Sequence, residues 1–278
     1  MNALEVIGGA LLGGKVVEKV LGPTAEYLGD GIKTFAEKRV ENVRNIFTNA
    51  QKKLGDRINS PGAVPPRVLA GILNDGSYRD DKLASEYYGG VLASSRTEIS
   101  RDDRGATLVN LVSRLSSYQL RVHYIIYRVF FELYVGSNTP ITRSTDRATL
   151  RTFIPQSTLL VAMDFSESEP GQMIMEHALV GLSREELFSP LNWAYGGGPV
   201  LQQRGYDGPE QGLIVEPTPN GVELFLNALG GGHLPLNAFL SQGTFIPPIE
   251  GITIPGGSFS LKASNSDKET GHPLIANG

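Results

Sequence analysis

The chain of 278 residues contains no cysteine. Disulfides and thiolate metal sites are therefore excluded, and the composition fits a reducing compartment. Histidine is scarce as well, with only His123, His177, His233 and His272. None of them stands in HxxxH or HExxH spacing, so a zinc site would have to be assembled from remote residues. The chain has no GxxxxGK motif followed by Ser or Thr, and no GxGxxG after a strand pattern; the familiar phosphate cradles are absent. No GxSxG occurs, which leaves a serine-hydrolase elbow unsupported. A membrane span needs about 20 consecutive apolar residues, and no such run exists. The nearest, VHYIIYRVFFELYV at 122–135, is broken by His123, Arg128 and Glu132 and suits a buried helix. Neither sign of charge dominates: 25 Lys+Arg against 29 Asp+Glu gives −4. That balance exerts no global pull toward nucleic acid or anionic membrane.

What is present is enough apolar material for a core, at 40% of residues. The length suits one large domain or two modest ones. Residues 3–21 fit a helix with Leu4, Ile7, Leu11, Val16 and Val20 as apolar positions. Gly9 and Gly13, with Ala10 and Gly14 beside them, give the small-xxx-small spacing of closely packed helices or of membrane contact. Glu5 precedes the apolar stretch where a signal peptide carries basic residues, so none is expected. After Gly22-Pro23, a long amphipathic helix is predicted over 24–57. Its stripe is Leu28, Ile32, Phe35, Val43, Ile46, Ala50 and Leu54. A helical core follows over 65–135. Pro65-Pro66 opens it, Asp80 or Asp81 caps a helix carrying Leu83, Ala84, Tyr87, Val91 and Leu92, and two more helices fit 102–117 and 118–135.

Residue 136 begins a different pattern. Gly, Pro, Ser and Thr over 136–168 suit a linker with a short element. A helical stretch over 169–188 is expected to break near Gly181-Leu182-Ser183. GGGPVLQQR and GLIVEPT look like strands joined by GYDGPEQ, and PNGVELFLNALG has the start, body and glycine stop of a helix. That order, over 169–230, is the order of a winged-helix unit. The Gly/Pro-rich tail, 231–278, is expected to lie over the surface or stay mobile, with edge-strand pieces in FIPPIEGITIPGGSFSLK. The expected fold is thus mainly α: a helical domain to 135, a small winged-helix-like α/β unit, and an irregular C-terminal tail.

Few residues invite a chemical reading. Asp75, Ser77, Asp80 and Asp81 form an acidic turn, but a calcium loop starting at Asp75 would place Arg79 at its fifth position and Asp80 where Gly is required. Helix capping explains the turn better. Gly89-Gly90 points to a close helix crossing. Asp102-Asp103 and Glu185-Glu186 are helix-end charges. The predicted recognition helix, around 169–181, carries Glu169 and Glu176 and neither Lys nor Arg. The following turn sets Glu185 and Glu186 against Arg184, and the wing offers Arg204 beside Asp207 and Glu210. A phosphate-facing helix needs cations, so this one suits protein contact.

Four stretches carry a family likeness: KVVEKVLGPTAEYLGDGI (15–32), VPPRVLAGILNDGSYRDDKLASEYYGGVLASS (64–95), RDDRGATLVNLVSRLSSYQLRVHYIIYRVF (101–130) and IVEPTPNGVELFLNALG (214–230). Together they resemble the Abi-alpha family of bacterial proteins associated with abortive infection against phage. The resemblance spans roughly residues 5–230. Tyr87-Tyr88-Gly89-Gly90 departs from it, standing where larger aliphatic or Trp/Ala-type residues are expected. The resemblance brings no catalytic motif. It implies a cytoplasmic phage-defence protein acting through protein partners or self-association. No catalytic residue, metal site, cofactor or small-molecule ligand is predicted. A membrane-directed effector using residues 3–21, or a winged-helix nucleic-acid-binding regulator, are the alternatives.

Overall fold

The computed structural model describes residues 31–98 and 101–261. Residues 3–21, with their spaced glycines, lie outside the described residues. So do Leu28, His272 and the end of the tail from residue 262.

The first helix, α1, runs Gly31–Leu54, with Ile46 and Ala50 buried. It stops short of residue 57 because Gly55 takes φ +51° and begins a 3-10 turn, Gly55–Asn59. Helix α2, Pro66–Asp75, opens on a proline whose missing N–H would have had no helical partner anyway. The 3-10 turn Gly76–Tyr78 leads to α3, Lys82–Ser94. Helix α4 is shorter than its pattern, Gly105–Arg114. Helix α5, Ser117–Tyr134, starts from a reciprocal cap: Gln119 N–H donates to Ser116 Oγ (3.2 Å) and Ser116 N–H to Gln119 Oε1 (2.8 Å). Its near-continuous apolar sequence places it at the centre, packed by α3 and by helices of the second half. Among the described residues no helix is long and apolar enough to cross a membrane.

The second half holds α6 (Ser144–Arg147), β1 (Thr152–Pro155), α7 (Gln156–Met163), α8 (Gly171–Arg184), β2 (Ala194–Gly196), α9 (Pro199–Gln202), β3 (Gly212–Val215), α10 (Pro219–Ala228) and β4 (Phe259–Ser260). The strands form an antiparallel sheet in the order β2-β3-β1-β4, with Phe153 opposite Ile214 and Leu213 opposite Tyr195. Alternation sorts its side chains. Ile154, Leu213 and Val215 face the main core, while Phe153 and Ile214 face a smaller cluster with Ala194, Leu201 and Leu261. Tyr206 stacks on Phe153 at 4.2 Å, so the loop between β2 and β3 folds back over that outer face.

Several expectations change. The stretch 136–168, expected as a linker with a short element, supplies α6, an interior strand and α7. GGGPVLQQR is not one strand, because Gly198 at φ +50° turns the chain and Pro199 starts a helical turn that buries Leu201. Helix α8 passes Gly181 unbroken. An ideal Cβ there would overlap the Gln119 amide, so the glycine admits α5 rather than ending α8. Residues 231–261 are largely irregular but packed, with Phe239, Leu240, Ile246 and Ile249 buried and the expected edge strand present as β4. Their backbone is held by α5, where Arg128 Nη1 donates to Ile246 O (2.6 Å) and Ile249 N–H donates to Tyr124 Oη (2.6 Å). One large cluster of buried side chains runs from Ile46 to Ile249, through the boundary that the sequence placed at about 135.

Candidate protein-contact face

Helix α8 owes its position to Met175, Ala178, Leu179 and Leu182, all fully buried and spaced for one face packed toward α5. Its C-terminus closes in a Schellman arrangement. Leu187 N–H donates to Leu182 O (2.9 Å) and Glu186 N–H to Ser183 O (3.1 Å). Arg114 pairs with Glu185 at 2.6 Å and ties this end to α4. At the other end, Ser166 N–H donates to Glu169 Oε2 (2.7 Å) in the entering turn.

Burying that face turns Gln172, Met173, Glu176, His177, Val180 and Arg184 outward. Met173 is 70% exposed and Val180 47%, seven residues apart on the same side. Gln172 Oε1 accepts from Tyr195 Oη of β2 and from Gln156 Nε2 of α7, both at 3.3 Å, so the rim is joined to the sheet. Burial pushes the Tyr195 hydroxyl up to about 12, and the Glu176 carboxylate adds to the shift. Tyr195 therefore stays a neutral donor at physiological pH. On the face Glu176 stands against Arg184, while in the chain before α8 Asp164 pairs with Arg121 at 3.6 Å. In the β2–β3 loop, Asp207 and Glu210 stand against Arg204. The face itself is apolar, with one carboxylate, Glu176, and one guanidinium, Arg184.

The acidic turn proves to be architecture. Asp81 caps α3 by accepting from Leu83 N–H (3.3 Å) and Ala84 N–H (3.2 Å). Ser77 Oγ donates to Asn74 O (3.3 Å) within the turn. Arg79 donates to the carbonyls of Ser113 and Leu115 at the end of α4. Asp80 is exposed. Asp102 and Asp103 pair with Arg104 and Arg67. Among the described residues no group of three or more His, Asp or Glu side chains is placed to hold a metal. Gly89 and Gly90 mark two crossings. An ideal Cβ at Gly89 would lie 2.7 Å from Asn49 Cβ and 2.8 Å from Ile46 O of α1, while one at Gly90 would fall onto the backbone of Ala228 in α10. Tyr87 and Tyr88 are both fully buried.

Three described histidines have different fates. His177 is exposed on α8. His233 Nδ1 lies 3.0 Å from Arg57, and partial burial followed by that guanidinium lowers its pKa. His123 is completely buried. Its Nε2 lies 3.1 Å from Gly221 O, which only accepts, so Nε2 carries the proton and Nδ1 accepts from Tyr87 Oη at 2.7 Å. Burial lowers its pKa to about 3, with the Gly221 bond opposing the shift. This histidine is a neutral splice between α3, α5 and α10.

The sequence did not reveal a cavity of about 450 Å³ between α6, the turn after α8 and the start of α10. Its residues come from three separate stretches and share no motif. A comparison with family models, with curated proteins and with solved structures found no match to the chain.

Proposed function

We propose that the chain is a phage-defence protein of the abortive-infection type, acting in the bacterial cytoplasm by binding another protein through the outward face of α8. The single observation that carries the contact mode is that face: Met173 and Val180 exposed beside Glu176, with no Lys and one Arg at the far end. The defence role rests on the four sequence stretches that resemble Abi-alpha proteins. A winged-helix reading of the second half, extended back from residue 169 to β1, is supported by the order β1-α7-α8-β2-α9-β3 and by a sheet in which β3 lies between β2 and β1. In such a unit α8 occupies the recognition-helix position. Here it offers phosphate a single cation, Arg184, opposed by Glu176, too little for a phosphate-facing helix. No step of the reading requires catalysis.

The first test is a phage challenge of cells carrying the protein, scored at low and high infection ratios. The expected result is a protected culture at the low ratio and death of infected cells at the high ratio. Purified protein is expected to show no shift of duplex DNA even at about 50 mM salt, where phosphate contacts are strongest. Salt-dependent DNA binding, or equal survival with and without the protein, would overturn this function.

A further inference from the structure

The cavity beside α10 carries an inference independent of the α8 face. Its lining includes Ser144 and Arg147 from α6, Glu186 and Ser189 after α8, and Asn192 and Asn220. Its wall contains buried Glu216, whose carboxylate is already engaged on both oxygens. Arg151 donates to Oε1 through Nε (2.8 Å) and Nη2 (2.6 Å), and Asn192 donates to Oε2 (2.9 Å). The other ionisable residues of the lining are Arg147 and Glu186.

Each has spare capacity. The Arg147 guanidinium has five N–H donors, and its one hydrogen bond among the described residues runs from Nη1 to Ile141 O (2.7 Å). The Glu186 carboxylate has no partner among the described residues, nor do the hydroxyls of Ser144 and Ser189. Arg147 and Glu186 do not pair with each other, although both line one cavity. Glu186 also sits at φ +53°, at the left-handed position closing α8, where glycine is the favoured residue. A glutamate there is a local cost that the Schellman turn does not explain, at a residue that lines the cavity.

We propose that this cavity binds a small zwitterion of amino-acid size, its carboxylate on Arg147 and its ammonium on Glu186. The volume, about 450 Å³, falls in the lower part of the range of small-molecule sites. The hydroxyls of Ser144 and Ser189 and the amides of Asn192 and Asn220 supply neutral polar partners around the two charges. The sequence alone predicted no small-molecule ligand, because nothing in it joins residues 144–147 to 186–192 and 216–220.

The experiment is calorimetric titration of the full chain with the twenty free amino acids, and with acetate and methylammonium as single-charge halves. The expected result is one-to-one binding of at least one amino acid, with each half at least about tenfold weaker. Arg147→Met and Glu186→Gln should each weaken binding by about tenfold or more. Glu186→Gly is the decisive variant, because it removes the carboxylate while relieving the left-handed backbone. It should raise Tm and lose binding together, so a folding failure cannot imitate the result. Absence of saturable binding up to about 10 mM of every amino acid would overturn the proposal. Binding unchanged in Glu186→Gly would overturn it equally.

Discussion

Gly90→Ala is expected to destabilise the protein by about 4 kcal/mol or more, a drop in Tm on the order of 10 °C. The added methyl carbon would fall onto the carbonyl carbon and oxygen of Ala228. A flexible side chain can rotate away from such a contact, but here the obstacle is the backbone of α10. Relief requires α3 and α10 to move apart, which opens the packing of Val91 and Leu224 as well. Gly89→Ala meets Asn49 Cβ and the backbone of α1 from the other side of the same helix. It should be costly too, and the α1 crossing should loosen rather than the α10 crossing. Gly256→Ala is the control, since its added carbon meets nothing within 4 Å. Its effect should stay within about 0.5 kcal/mol. Thermal unfolding of the three variants checks the ranking, and a Gly90→Ala protein as stable as the Gly256→Ala protein would contradict this packing.

Acid is expected to unfold the protein through His123. An ordinary histidine takes its proton at about 6.5, as this one does in the unfolded chain, whereas burial holds the folded-state value at about 3. Between those values the unfolded chain binds more protons, so stability rises with pH across the window and is lost as pH falls through it. At pH 4.5 this group alone should remove on the order of 2–3 kcal/mol. The geometry gives the same sign. A second proton on Nδ1 would take the lone pair that accepts from Tyr87 Oη, and would place a charge among fully buried aromatic rings. His123→Phe should be less stable at pH 7, because Gly221 O and Tyr87 Oη lose their partner. Its stability should also fall less steeply from pH 6.5 to 4.5. Denaturant titrations at several pH values measure both slopes, and identical slopes would remove His123 from the account.

The residues explain how much of this was legible. Spacing and caps announced α2 and α3, because Pro66 and Asp81 act within one turn of the helices they start, and apolar content announced α5, whose Ser116/Gln119 cap was not read. The Gly89-Gly90 pair was readable as a crossing, though not its partners, since Ala228 lies far along the chain. Strand β1 was missed because TFIP is four residues long, ends in proline and is buried on both faces, leaving no polar alternation. Helix α7 escaped for a related reason: QSTLLVAM has little one-sided character and opens after Pro155 without a side-chain cap. The tail looked mobile by composition. Four large apolar side chains, Phe239, Leu240, Ile246 and Ile249, nonetheless find a surface along α5, and that surface exists only after folding. The outward face of α8 was visible in part, through its missing cations. Which side turns outward depended on how α8 packs. Glu186 was read only as a helix-end charge, because its left-handed backbone and its cavity are properties of three converging segments.

The central claim is that the chain defends through the outward face of α8, and one measurement addresses it directly. Met173→Glu combined with Val180→Glu replaces two exposed apolar side chains without touching the buried face. Such surface changes should leave Tm within about 2 °C of the unaltered protein. In the phage challenge at low infection ratio, the account predicts that the double variant, folded and equally abundant, loses protection of the culture. Full protection by that folded variant would contradict the account.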